Sequence, residues 1–246
     1  MIAALKAEFR KLFTVRSTYI AIGLAVAFVI FYAFYIVGWR LTPAELKDPN
    51  QLTSDVTGAL TSLPMIFGAV IAILLMSHEY RYNTIMYTLT AANSRTKVLL
   101  AKFLAITGFA LVFALFIGVL SPTMAYLGVH AHGHAFAPQV IHYGDLLWRG
   151  LFYGWAYITT GLLLAVLIRN QLGAMISIFI IPTIEQLIGL VLKANAVYLP
   201  FSSLGAVMMK PEKGSLSFSH AAMVFSLYLV VGWIVAWILF LRRDAN

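Results

Sequence analysis

Six long apolar runs, separated by polar stretches of unequal length, set the pattern of this chain. They cover about 17–38, 58–76, 98–129, 147–168, 172–192 and 220–241. About 20 apolar residues in helical form cross the hydrocarbon core of a bilayer. The pattern therefore predicts an all-α integral membrane protein: six transmembrane helices in a single membrane domain, 1–246. The first run is too long for the apolar core of a signal peptide and no small-x-small cleavage site follows it, so it reads as a retained span. Tyr32, Tyr35 and Trp39 form an interfacial aromatic belt at its far end. Ser121-Pro122 is expected to kink or end the third run, and Pro182 interrupts the fifth.

The polar stretches carry their own periodicity. In the first 16 residues Ile2, Leu5, Phe9, Leu12 and Phe13 recur at helical intervals, while Lys6, Arg10 and Lys11 fall off that stripe and Arg16 closes it. This reads as an amphipathic helix at the headgroup boundary of membrane lipids, or simply as a basic flank that orients the first span. Between the second and third runs, Glu79, Arg81, Arg95 and Lys97 bracket a piece, Thr84 to Ala92, that has no formal charge. A short helix there sets Ile85 and Leu89 one turn apart as an apolar ridge, facing lipid or another protein. Arg169-Asn170-Gln171 is a minimal turn, and the longer connection from Lys193 to Ser219 alternates apolar and polar pieces, as a short re-entrant or interfacial helix does.

Composition narrows the class. The chain is 61% hydrophobic, well above the usual 45–50% of soluble domains. Its net charge of +8 comes from residues at the ends of apolar runs, which argues for membrane anchoring and against nucleic acid. Eleven of the 17 Lys and Arg fall on the side of the termini, so the positive-inside rule puts both termini and the 77–97 loop in the cytoplasm. The chain has no cysteine, no G-x-x-x-x-G-K-[ST] and no G-x-S-x-G. His78-Glu79 fails as a zinc-protease motif because Tyr82 stands where the second His belongs. Together these speak against an enzyme and against any cofactor held by this chain.

Two further features carry chemistry. Glu185 is the one acid well inside a span, and a carboxylate at mid-membrane costs roughly 2.5–3.5 kcal/mol, so it needs a partner. It reads either as a gate or path-lining residue beside Pro182, or as a structural hydrogen bond to a neighbouring helix. His130, His132 and His134, with His142 beyond, are candidate metal ligands on imidazole count, but no Cys or close carboxylate completes the set.

The loop of residues 79–102 resembles the first cytoplasmic loop of type 2 ABC-transporter permeases, whose pattern runs E-x-R-x-G-T, a Leu, P-x-x-R, and a Lys seven residues on. Glu79, Arg81, Thr84, Leu89, Arg95 and Lys102 fall on it, with Asn83 in place of Gly and Ala92 in place of Pro. Glu8, Lys11 and Arg16 are similar to the E-x-x-K-x-x-x-x-R that often precedes the first span of such permeases. The resemblance implies an exporter subunit in a prokaryotic cell membrane, with a coupling helix in this loop. It also implies as partners a second permease chain, identical or paralogous, and two ABC ATPase subunits that hold ATP and Mg. Glu79 and Arg81 would touch the ATPase, Leu89 would be the apolar plug, and Arg95 and Lys102 would anchor the loop's return to the membrane. A fifth span near the dimer axis would make Glu185 a gate. The few polar residues in the spans suit a hydrophobic or amphipathic cargo: drug, peptide or lipid. The alternative is an ion-coupled transporter or channel centred on Glu185.

Overall fold

The computed structural model describes residues 1–37, 63–133, 143–209 and 214–242. Helix α1 is Ile2–Thr14, and α2 is Arg16–Val29, continued as a wider π-helix over Ile30–Val37. Then follow α3 (Leu63–Arg81), α4 (Ile85–Ala92), α5 (Arg95–Ala131), α6 (Tyr143–Ile168), α7 (Gln171–Leu192), a 3-10 turn at Lys193–Tyr198, α8 (Pro200–Met208) and α9 (Phe218–Arg242). Among the described residues there is no strand, and six helices are long and apolar enough to cross a membrane. The predicted start of the second span, Trp39, the 40–57 connection, His134, His142 and the Lys210–Lys213 stretch lie outside the described residues.

The centre of the bundle is α3 and α6. In each, 67% of the most apolar stretch is buried, against 11% in α7 and 22% in α9. Helix α6 packs against α3, α5, α7, α8 and α9. Small residues let these helices approach closely, as packing in lipid requires. A Cβ on Gly161 would sit 2.6 Å from the backbone carbonyl of Ala69, and one on Gly154 would sit 2.5 Å from the Ala114 methyl. On the other side of the bundle, the bare face of Gly128 in α5 abuts the backbone of Phe34 in the π-helical segment.

At three places the structure narrows what the sequence pattern left open: neither proline ends its helix, and the α1 stripe is divided. Helix α5 spans 37 residues without a break at Pro122. Ile117, Ser121, Pro122 and Ala125 are all buried there, and packing on both sides of the proline outweighs the ~3 kcal/mol that its missing hydrogen bond and ring clash cost. Helix α7 likewise runs on through Pro182. In α1 the apolar stripe does not face outward as one: Leu12 is buried and Leu5 and Phe9 pack onto the core, whereas Ile2 and Phe13 stay exposed. Gly108 of α5 makes room for the Phe9 ring. Helix α1 is thus partly a bundle helix, with Lys6 and Arg10 on its exposed side and Arg16 exposed at the start of α2.

Candidate functional site

The short helix α4 is framed by two left-handed residues. Asn83 (φ 53°) leads into it and Asn93 (φ 49°) ends it. Asn tolerates this backbone region better than most residues, which is why it can stand at 83 where the resembling pattern has Gly. Ser94 then caps α5 by accepting a hydrogen bond from the Lys97 backbone. On α4, Ile85 is buried and Leu89 packs inward against the core, so the ridge expected to face lipid or another protein faces the bundle instead. The outward side carries Met86 (50% exposed) and Tyr87 (78%), with Tyr82 (64%) just before the helix. Arg81 and Thr84 are exposed beside them; the Arg81 guanidinium lies over the Tyr82 ring and reaches Gln171 of α7 at 3.4 Å.

Beneath this loop lies a closed ring of four charges. Lys11 Nζ of α1 donates to Glu8 Oε1 at 2.7 Å and to Glu79 Oε1 of α3 at 2.6 Å. Lys102 Nζ of α5 donates to Glu8 Oε2 at 2.9 Å, to Glu79 Oε1 at 2.7 Å and to the Leu75 carbonyl at 3.3 Å. All three of the Lys102 N–H donors are therefore used. Lys102 is fully buried, and Glu8 and Glu79 are nearly so. Two carboxylates against two ammoniums leave the ring neutral, which is the condition under which buried charges are tolerated. Glu79 is thus an internal joint between α1, α3 and α5, not a surface residue. One acceptor in the ring stays empty: the buried Glu79 Oε2 has no hydrogen-bond partner, an omission that typically costs about 1–3 kcal/mol.

Burial lowers the affinity of Lys11 for its proton, and its hydrogen bonds to Glu79 and Glu8, with their charges, raise it; the net shift is upward from 10.5. A raised ammonium stabilises the fold fully below the unfolded value and loses that contribution as pH rises through the folded one. We expect the melting temperature to drop in a step above pH 10.5, and Lys11→Met to remove that step. A pH series of melts checks this; an unchanged step would assign it to other groups.

Arg95 fastens the loop to the last span, donating to the carbonyls of Phe240 (3.3 Å) and Leu241 (3.1 Å) at the end of α9. A cation there suits the negative end of the helix dipole.

At the opposite end, the buried Glu185 accepts hydrogen bonds from the backbone N–H of Phe201 (2.8 Å) and of Ser202. These are first-turn donors of α8, which no intrahelical carbonyl can satisfy. Arg149 of α6 donates to the Met209 carbonyl at the other end of α8 (3.3 Å). A carboxylate at its N-terminus and a guanidinium at its C-terminus hold this nine-residue apolar helix along its dipole. Half-buried Pro182 lies three residues before Glu185 on α7. Among the described residues no three His, Asp or Glu side chains converge as metal ligands. His130 stacks on Tyr126, and His132 ends α5.

Residues 4–191 match the family model described as ABC-2 family transporter protein. The chain belongs to that family: it is a multi-pass membrane subunit of a transporter and not itself a catalyst, and membership implies association with an ABC ATPase subunit. No curated protein matches the chain.

Proposed function

We propose that this chain is the permease of an ATP-driven exporter in a prokaryotic cell membrane, with both termini and α4 in the cytoplasm. One observation carries the coupling assignment. Helix α4 offers an uncharged, apolar-aromatic outward face, Met86 and Tyr87, and is mounted between α3 and α5, which the buried ring ties together and to α1. A push on α4 is thereby passed to three helices at once. In this reading two such chains, identical or paralogous, pair with two ATPase subunits that bind ATP with Mg. Closure of the ATPases moves α4, and the spans alternate between inward-open and outward-open states. Arg81 and Thr84 supply polar contacts to the ATPase; Arg95 and Lys102 hold the loop to the membrane part, while Glu79 transmits rather than docks. The apolar spans suit a hydrophobic or amphipathic cargo. Glu185 latches α8 at the outer end. Both of its oxygens accept backbone donors, which argues against the reading of an ion-coupled carrier centred on it.

Tagged chain purified in mild detergent is expected to bring an ATPase subunit with it. The double change Met86→Asp with Tyr87→Asp should lower co-purification and stimulated ATPase activity about tenfold or more, as loss of interface anchors does. Both side chains are exposed, so stability should move by no more than about 0.5 kcal/mol. Intact association and stimulation in that variant would remove α4 from the coupling role.

A further inference from the structure

Between α1, the start of α2, the end of α3 and α4 lies a cavity of about 460 Å³. Its apolar wall is Leu12, Val15, Ile71 and Leu74, and Tyr82, Thr84 and Tyr87, all exposed, line its mouth. Lys11 and Glu79 of the ring also line it, as does the His78 imidazole, which makes no hydrogen bond to Glu79 and stacks edge-on against Tyr82. The walls thus come from α1, the α1–α2 junction and α3, and the mouth from α4 and the turn before it. The polar end has a definite vacancy in its bonding. Glu79 Oε2 has no donor, and Lys11 gives two of its three N–H donors to Glu8 and Glu79. The site therefore lacks one donor and offers one. A second cavity of about 490 Å³, between α1, α4 and the start of α5, is lined by Glu8 and Lys11 but not by Glu79. Both Glu8 oxygens already accept hydrogen bonds, so that cavity has no such demand.

We propose that the first cavity binds a phospholipid with a primary-ammonium head group. Its ammonium supplies the missing donor to Glu79 Oε2, its phosphate accepts from Lys11, and its acyl chain lies along Leu12, Val15, Ile71 and Leu74. Charge balance selects this class. The ring is neutral by itself, so a lone cation or a lone anion would leave an excess, whereas an ammonium-phosphate pair adds none. A choline head group has no N–H to give, and a glycerol head group has no ammonium. The assignment does not depend on the energy source of transport.

The chain has no cysteine, so Thr84→Cys gives a single thiol at the mouth of the cavity. Full-length protein is placed in nanodiscs of phosphatidylcholine alone, or of phosphatidylcholine mixed with equal parts of phosphatidylethanolamine or phosphatidylglycerol, and its maleimide labelling rate is measured. Phosphatidylethanolamine is expected to slow labelling about tenfold, the protection given by a site occupied nine-tenths of the time. Met86→Cys, exposed but outside the cavity, should label at one rate in all three discs. Leu74→Trp fills the cavity without touching the ring and should abolish the protection; Val15→Trp fills it from the other wall should the first variant not fold. Equal rates in all three discs, equal protection of Met86→Cys, or protection that survives the filled cavity would overturn the proposal. Protection by water-soluble phosphoethanolamine in phosphatidylcholine discs would overturn the lipid assignment in favour of the free head group.

Discussion

Replacing Lys102 by Met is expected to destabilise this protein by about 3–5 kcal/mol, the usual result of removing one partner from a buried ion network. Among the described residues Lys102 is the largest side chain with no exposed surface, and it holds Glu8, Glu79 and the Leu75 carbonyl together. Without it two buried carboxylates share Lys11 alone, a residue whose side chain is 38% exposed and whose charge is partly screened. Methionine keeps the length and apolar stem, so the loss reports the charge and not a cavity. The expected signs are a lower melting temperature and a smaller monodisperse fraction on size exclusion. The triple change Glu8→Gln, Glu79→Gln, Lys102→Met should recover most of the loss, because it removes every buried charge of the ring and leaves only Lys11, whose side chain is 38% exposed. If the single change costs under about 1 kcal/mol, as exposed pairs do, the ring does not bear on stability.

The second large effect is expected at the opposite end. Glu185→Ala leaves the N–H groups of Phe201 and Ser202 without their acceptor in a buried site, at about 1–3 kcal/mol for an unsatisfied donor. Glu185→Gln retains a carbonyl acceptor and should lose less. The readout specific to the latch is local: amide exchange in α8 should quicken in Glu185→Ala and stay slow in the central helices α3 and α6. Arg149→Met, which releases the Met209 end, should quicken the same amides. Unchanged exchange in α8 would mean that its packing on α9 and α6 holds it unaided.

The six spans and the two short helices flanking them were legible because each rests on local signals: apolar runs of bilayer length, helical periodicity before Arg16, and an uncharged stretch between charged brackets. Legibility stopped where a side chain's meaning depends on what lies across the bundle. Glu8, Lys11, Glu79 and Lys102 are three separate pieces of sequence, and nothing in their spacing reveals that they close one ring. Read locally, Glu79 looks like a surface acid; only the docking of α1 on α5 buries it. The inward turn of Ile85 and Leu89 follows from the same packing, since a two-sided apolar helix gives no local sign of which side the core takes. The partner of Glu185 did leave a trace. Leu199-Pro200-Phe201 sets proline in the first turn of a helix, and proline there marks a start whose N–H groups need an acceptor. Sequence supplied the acid and the helix start, and the fold supplied their meeting.

Helix α5, unbroken over 37 residues, is about 55 Å long, nearly twice the ~30 Å hydrocarbon thickness that it crosses. Its first turns carry Arg95 and Lys102 and its far part touches the π-helical end of the first span at Gly128. Such a rod has mechanical leverage: a tilt of about 5° pivoting at one end carries the other through about 5 Å, roughly one helical turn. If α5 moves as one body, a tilt of that size about its start would shift Lys102 sideways by about 1 Å and Gly128 by about 4 Å.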